Sequence, residues 1–457
     1  MNLSPEQLEQ KSVTEILRHA ITKSTRGRLM ELQGYYEGKH DILNRTMADP
    51  SKPNNKLVNN LAAYITDTVI GYFMGSPIVY SADGEENDVY VETLKDIFDY
   101  NNEQDENAEL AKEQSIKGVG YELLYIDEDA KIRITNLPAE NVIYIETSEV
   151  EPKPAMAIRM YDMEQVGADI KTYYYEVYTE NEAITYRADS NNNMVSFTEI
   201  DRQEHYFGEV PIIQYQNNEE KLGDFEGVKS LIDAYNLAQS DSANDFQYFT
   251  DAYLVMIGAK LGGSENDPTG DKARATMRET RIIELPDKDV DAKFLIKDIN
   301  DTAIENYKNR LRKDIHTMAK VPDLSDEKFS GNLSGVAISY KIWGMDQIVS
   351  VKERKFKKGL QRRIKLITNI LNAQGKNWDW RKIEITFSRN MPQNLVELAQ
   401  MVGGLKGIVS DETLIALLPF VTDPVMELER LAEQKESINL DMIPPEPEVE
   451  DEPLEED

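Results

Sequence analysis

Between Lys352 and Lys365 the chain carries eight Lys or Arg residues and a single acid, Glu353. Helices ordinarily balance charge through i,i+4 pairs. A run of one sign therefore reads in three ways: a solvated face, a face neutralised by acidic neighbours on other subunits, or a face for nucleic acid. Two further bases, Lys308 and Arg312, stand one helical turn apart beside an apolar stripe, with Arg310 and Lys313 nearby. Bases laying their stems along apolar surface are the plain alternative there. Between the two basic stretches lies DLSDEKFSGNLS, residues 323–334, a polar loop with Gly331 and with Lys328 and Phe329 near its tip. It reads either as a connector or as a mobile finger on a rigid base, since it leads straight into a long helix.

Other chemistry is thin. Asp323, Asp326 and Glu327 form a small acidic group that reads as loop solvation rather than a magnesium site. The four histidines, His19, His40, His205 and His316, lie far apart with no metal-ligand spacing. Gly258-Ala-Lys-Leu-Gly262-Gly263 lacks the Lys-Ser/Thr ending of a phosphate-cradling loop, and Gly118-Val-Gly120 has no third glycine in register. No serine sits in a Gly-x-Ser-x-Gly elbow. No catalytic residue, metal ligand or cofactor is expected, which favours a structural or binding role.

Charge is segregated along the chain. Residues 301–374 hold 15 Lys or Arg against 8 Asp or Glu, while the whole chain has a formal net charge of −32. Residues 83–113 hold 12 acids against 2 bases, and the last 17 residues hold nine carboxylates and four prolines. A protein that grips phosphates along its surface would be net basic; this one meets a polyanion at one place, if at all, and repels it elsewhere. The absence of cysteine excludes disulfides, thiolate metal sites and cysteine nucleophiles. No stretch reaches 18 apolar residues and the N-terminus has no cleavable signal pattern, so no membrane partner is expected.

The elements that position these residues follow from periodicity. Ser4, Pro5 and Gln7 signal a capped helix start, and Val13, Ile16, Leu17, Ala20 and Ile21 continue at helical spacing. Helical stretches follow over Leu29–Tyr36, Leu57–Phe73 and 91–117, with a loop at 47–55. From Gly120 the period becomes two: strands are expected at 121–126, 131–137, 141–146, 155–161, 172–178, 183–188, 194–200 and 210–215, in antiparallel meanders. Two helices, 225–250 and 302–320, then bracket a small strand-and-loop module with strands at Tyr253–Ile257, Arg281–Leu285 and Lys293–Ile296. The first of these helices has a small polar middle, QSDSAND at 239–245. The long helix, about 334–374, carries an apolar stripe at Phe356, Leu360, Ile364, Ile367 and Leu371, with bases over the rest and Gly344 and Gly359 as bend points. A returning strand at Lys382–Phe387 precedes three short helices marked by Pro392, Ser410 and Asp423–Pro424. The class is α+β, with a disordered acidic tail.

Four segments in this order, YYEGKHDI (35–42), NNKLVNNLAAYITDTVIGYFMGSPIVY (54–80), SGVAISYK (334–341) and FSRNMPQN (387–394), resemble the portal proteins of tailed double-stranded-DNA phages, in the family found in long-tailed phages of Gram-positive bacteria. The resemblance runs over residues 10–440. It implies the multi-part portal fold: N-terminal helices and an α+β wing over 1–224, stem helix 1 over 225–250, a clip over 251–298, stem helix 2 over 299–322, a tunnel loop over 323–334, a long wing helix over 335–374, a returning wing strand over 375–391, a helical crown over 392–440 and an acidic tail over 441–457.

It also implies a ring, usually of twelve subunits, at the portal vertex of the capsid, a virion component assembled in the host cytoplasm. Double-stranded DNA is packaged through its channel by a separate terminase motor and later ejected. Major capsid and scaffolding proteins and a head-completion adaptor are the further implied partners. Lys328, Phe329, Ser330, Gly331 and Asn332 would face DNA in the tunnel loop. Lys308 and Arg312 would line the channel, and Arg354, Lys358 and Arg362 would contact the next subunit. The short acidic C-terminus departs from the family pattern and leaves the crown's size open. Two rival readings remain: a metal-dependent nucleic-acid-processing enzyme using scattered carboxylates, and a monomeric acidic binding protein.

Overall fold

Ser4 and Ser12 each start a helix by accepting a hydrogen bond from the backbone three residues on, while Gln7 and Glu15 reach back to close reciprocal caps. This defines α1 (Pro5–Gln10) and α2 (Val13–Thr22), which follow the short strand β1 (Asn2–Leu3). In the computed structural model, residues 1–457 are described except 51, 85–86, 165–170, 192–193, 250–252, 258–268, 273, 276–290, 296–300, 326–334, 390–394, 419–420, 422–423 and 442–457. Helices α3 (Arg26–Tyr36), α4 (Leu61–Phe73), α5 (Asp88–Tyr100) and α6 (Glu103–Lys117) come next, with strand β2 (Val79–Ala82) between α4 and α5.

The change of period at Gly120 produces eight strands: β3 (Val119–Ile126), β4 (Ile132–Leu137), β5 (Val142–Thr147), β6 (Pro154–Glu164), β7 (Lys171–Tyr178), β8 (Glu182–Asn191), β9 (Met194–Glu204) and β10 (Ile212–Gln216). They divide between two sheets, five of them joining β1 in the larger and three forming the smaller. Six strands run in the order β1-β5-β6-β7-β8-β9 and three in the order β10-β3-β4. Helix α2 buries Ile16, Leu17 and Ala20 against Ile145, Ile158, Val177 and Ile184 of the larger sheet. The outer edge of β4 is covered by side chains. Asn101 donates to the Ile132 carbonyl and accepts from Ile134 N–H, while Glu106 accepts from Asn136 N–H. Alternate backbone groups of an edge strand are thereby satisfied without another strand.

The glycines of the Gly118-Val-Gly120 run serve packing. Gly118 ends α6 at φ +80°, and a Cβ there would stand 2.1 Å from the Lys221 carbonyl oxygen.

Helix α7 (Lys229–Phe249) and α8 (Asp301–Ala319) pack side by side, and the strands between them, β11 (Tyr253–Ile257) and β12 (Asp291–Leu295), pair antiparallel. The strand expected at 281–285 lies outside the described residues. Helix α9 (Gly335–Ala373) is continuous for 39 residues, through both Gly344 and Gly359. Gly359 is an approach point: a Cβ there would meet the Tyr215 ring at 2.3 Å. Strand β13 (Ile383–Thr386) pairs with β2, which the sequence pattern did not reveal. Helices α10 (Leu395–Leu405), α11 (Asp411–Ala416) and α12 (Pro424–Asp441) follow; Ser410 caps α11, and α12 is long rather than short. The acidic tail beyond Asp441 lies outside the described residues. The largest core gathers around α9, where Phe356, Leu360, Ile364, Ile367 and Leu371 meet Ile65, Phe73, Leu94, Tyr215 and Phe225.

The small polar middle of α7 has a specific task. Asn236, Ser240 and Asn244 lie at i, i+4 and i+8 and accept hydrogen bonds from the backbone N–H groups of Asn59 (2.8 Å), Leu57 (2.9 Å) and Asn55 (2.8 Å). Four helical residues rise about 6 Å and two extended residues about 6.6 Å, so the two repeats stay in step. The sequence pattern places helix over 57–60 as well; instead this segment stays extended along α7, and Asn60 caps α4 by accepting from Ala63 N–H.

Replacing Ser240 with Ala leaves the Leu57 amide without its acceptor. We expect a loss of about 1–2 kcal/mol in urea unfolding, with faster hydrogen exchange concentrated at residues 55–59. Unchanged exchange there would show that the ladder does not hold the strap.

Candidate functional site: a clamped connector and a buried ion network

Helices α7 and α8 run antiparallel, since the paired β11 and β12 join the end of one to the start of the other. Lys308, on α8, faces α7: its Nζ donates to Gln239 Oε1 at 3.3 Å and pairs with Glu305 on its own helix. It is largely buried. Arg312, one turn on, turns toward the connector that follows α8. Its Nη2 donates to Asp323 Oδ1 at 3.0 Å and to Ser325 Oγ, and its Nε stands 2.8 Å from Asp323 Oδ2 as an ion contact without hydrogen-bond alignment.

The connector, residues 320–325, is held from three sides. Lys320 makes the turn at φ +56°, a left-handed conformation uncommon for a residue with a side chain. His316 Nδ1 lies 3.1 Å from the Val321 carbonyl, which makes Nδ1 the protonated nitrogen. Tyr64, from α4, donates to the Pro322 carbonyl at 3.0 Å and accepts from Leu324 N–H at 2.8 Å, its ring edge-on to His316. Burial pushes the Asp323 carboxyl up, but hydrogen bonds from Ser325 and Arg312 outweigh it and hold the group below its ordinary value. Beside the connector lies a cavity of about 630 Å³ whose lining includes Arg312, Lys313, His316, Lys320, Asp323 and Lys341. Its basic character makes it suited to an anion. The five residues expected to face DNA, Lys328, Phe329, Ser330, Gly331 and Asn332, lie outside the described residues, as do Asp326 and Glu327 of the acidic group.

The basic run of α9 is neutralised mostly from within its own chain rather than by acids of other subunits. Lys355 pairs with Glu219, while Arg362 (2.9 Å) and Lys365 both pair with Glu209. Arg362 also donates to the Val210 carbonyl at 3.1 Å, so it is tied down inside its own subunit. Arg354 and Lys358 stay exposed. Arg354 Nε donates to the Ser350 carbonyl of its own helix, and Lys358 adds only a longer-range attraction to Glu219, which Lys355 already holds.

Lys352 and Arg363 do not share the solvated face at all. Both are fully buried. Lys352 Nζ donates to Asp224 Oδ2 at 2.5 Å, and Ser115 and Asn217 donate to the same carboxylate. Burial pushes the Lys352 ammonium down, and Asp224 works against that shift. Arg363 donates to Glu122 Oε2 at 2.9 Å through Nε, to Glu103 Oε1 at 2.6 Å through Nη1 and to Asn107 Oδ1 at 2.8 Å through Nη2. Tyr80 OH donates to Glu103 at 2.5 Å and Tyr215 OH to Glu122 at 3.0 Å. Burial opposes the charge on Arg363, but Glu122, Tyr215 and Glu103 more than offset it and raise its pKa well above the ordinary value. Burial and the adjacent carboxylates push both tyrosine hydroxyls far up. The network ties α9 to α6, β2, β3 and β10. Its sequence signal was present: Lys352 is four residues before Phe356 and Arg363 three after Leu360, on the apolar stripe itself.

Among the described residues no group of three or more His, Cys, Asp or Glu is placed to hold a metal ion, and no described helix is long and apolar enough to cross a membrane. Residues 19–440 match the family model described as phage portal protein, SPP1 Gp6-like. The chain belongs to that phage portal family. It is 27% identical over 411 residues to the portal protein of Bacillus phage SPP1, covering 86% of this chain and 79% of the relative. With the portal protein of Clostridium phage phiCD119 it shares 25% identity over 455 residues, covering 92% and 94% respectively. Among solved structures, a chain of the virion of the native gene transfer agent particle aligns over 89% of this portal-family chain and 99% of its own length, at 12% identity and a TM-score of 0.48. A chain of the neck of the native particle, computed with C12 symmetry, aligns over 79% and 90% at 12% identity and a TM-score of 0.47.

Arg363→Met strands two buried carboxylates and is expected to cost about 3–5 kcal/mol in urea unfolding, or to prevent folding. Replacing Glu103 and Glu122 by Leu in the same chain should recover most of that loss; no recovery would mean that shape, not charge pairing, sets the cost. A second expectation concerns pH. Because the folded Asp323 pKa lies below its ordinary 3.8, the stabilisation is complete above that value and is lost only as pH falls through the folded value. Asp323 should therefore contribute no change in exchange protection of the connector amides between about pH 7 and 5, while Arg312→Met should lower that protection throughout.

Proposed function

We propose that this chain is a portal subunit: a ring at the capsid vertex through which double-stranded DNA is packaged by a terminase motor and later ejected, and to which a head-completion adaptor attaches. The observation that carries the reading is the family match over residues 19–440, with portal relatives aligned over most of both lengths. In this reading α7 and α8 form the stem, the β11–β12 module the clip, residues 323–334 the tunnel loop, and α9 the long helix behind it. Residues 1–224 with β13 are the wing, and α10 to α12 the crown. The role is structural: the motor chemistry belongs to the terminase.

Charge supports passage rather than capture. The chain is −32 overall, and most bases of α9 are spent on its own carboxylates, so few fixed cations remain to hold phosphates. Lys308 and Arg312 are engaged by Gln239, Glu305 and Asp323. They contribute to the channel by holding the two helices and the connector in place. Lys328, Phe329, Ser330, Gly331 and Asn332 are the residues we assign to transient DNA contact. The clamp on residues 320–325 gives that loop a fixed base.

Native mass spectrometry with negative-stain microscopy on one sample should give rings of about twelve copies with a central hole; a closed dimer without a hole would overturn the reading. Deleting residues 325–332 should leave the number of copies per ring unchanged and reduce DNA packaged per particle. Rings that fail to form would show the loop to be an assembly element instead.

A further inference from the structure

The exposed face of α9 continues beyond Arg354 and Lys358. At helical spacing it presents Tyr340 (76% exposed), Trp343 (62%), Gln347 and Val351 (43%) before those two bases. Exposed Trp and Tyr side by side on one helix face are costly to leave in water and are enriched where proteins associate. A second exposed helix face has the opposite sign. On α5, Val89 (58% exposed), Glu92 and Asp96 stand in the open, and neither acid meets a cation among the described residues. The two faces share one pattern: an apolar residue, then charges at i+3 and i+7, Val351-Arg354-Lys358 against Val89-Glu92-Asp96.

We propose that these faces pair between successive copies of the chain, α9 of one subunit lying along α5 of the next. This rests on the ring reading and names the surfaces that close it. Both helices advance about 6 Å per four residues, so two helices side by side and parallel bring Arg354 to Glu92 and Lys358 to Asp96 with the valines together. The contact joins two different faces, and such head-to-tail contacts generate rings when the rotation between subunits closes. Arg362, committed to Glu209 and the Val210 carbonyl, takes no part. In this register Tyr340 and Trp343 run past the start of α5 and extend the apolar part of the seam toward the connector of their own subunit.

The test is a charge exchange on the full chain, read by sedimentation velocity and native mass spectrometry at fixed salt. Arg354→Glu with Lys358→Glu, and separately Glu92→Lys with Asp96→Lys, should each weaken self-association by roughly ten-fold or more. The four changes together should restore most of it, because the pairs are then reversed but complementary. Circular dichroism checks that each variant folds; all four positions are exposed. Trp343→Ser should weaken association without responding to salt. Association unchanged in both double variants, or a fourfold variant no better than the weaker double, would overturn this pairing while leaving the ring reading intact. A wild-type chain that stays monomeric would overturn the ring reading and the pairing with it.

Discussion

A single buried guanidinium decides how the parts of this molecule meet. Arg363 sits in the C-terminal third of the longest helix, out of contact with water, and is held by two glutamates from different elements, one from α6 and one from β3. Taking three charges out of water is expensive, so each partner is tolerable only while the others are in place. The α9 helix therefore has one rotation and one height against the α6, β2, β3 and β10 assembly. Lys352 repeats the device eleven residues earlier with Asp224, close to the point where the chain enters α7. Apolar packing along Phe356, Leu360 and Ile367 supplies the driving force, and the ions supply the register.

That register carries to the connector. The long helix begins just after residues 326–334, and α8 ends just before residues 320–325. Two rigid elements thus lead into one loop from fixed positions, and Tyr64, His316 and Arg312 hold its first residues by hydrogen bonds. A loop that is to touch a moving polymer needs a base that does not move with it. Here the base is built from side chains of α4 and α8, and α4 is itself placed by the strap along α7.

The electrostatics follow the same economy. An acidic chain with a basic helix looks, in one dimension, like a protein with a polyanion site. In three dimensions most of that base is internal currency between α9 and the carboxylates at 209, 219, 224, 103 and 122. What remains outward is a short, mixed stripe of aromatic, valine and two bases, which is the composition of a protein contact rather than of a phosphate track.

The sequence alone determined the elements, because hydrophobic period and capping are local. The Ser4 cap before α1, the alternation from Gly120, the helices around the β11–β12 module and the stripe on α9 were all legible, and so was the α+β class. Tertiary structure decided what each surface meets. The division into two sheets, the pairing of β2 with β13 and the strap at 55–59 depend on partners about ninety to three hundred residues away, and no local signal names a distant partner. Lys352 and Arg363 read as part of a basic face because charge type was weighed above position. Their place on the apolar stripe was visible, but the acids that make burial tolerable, Asp224, Glu103 and Glu122, come together only when the chain has folded.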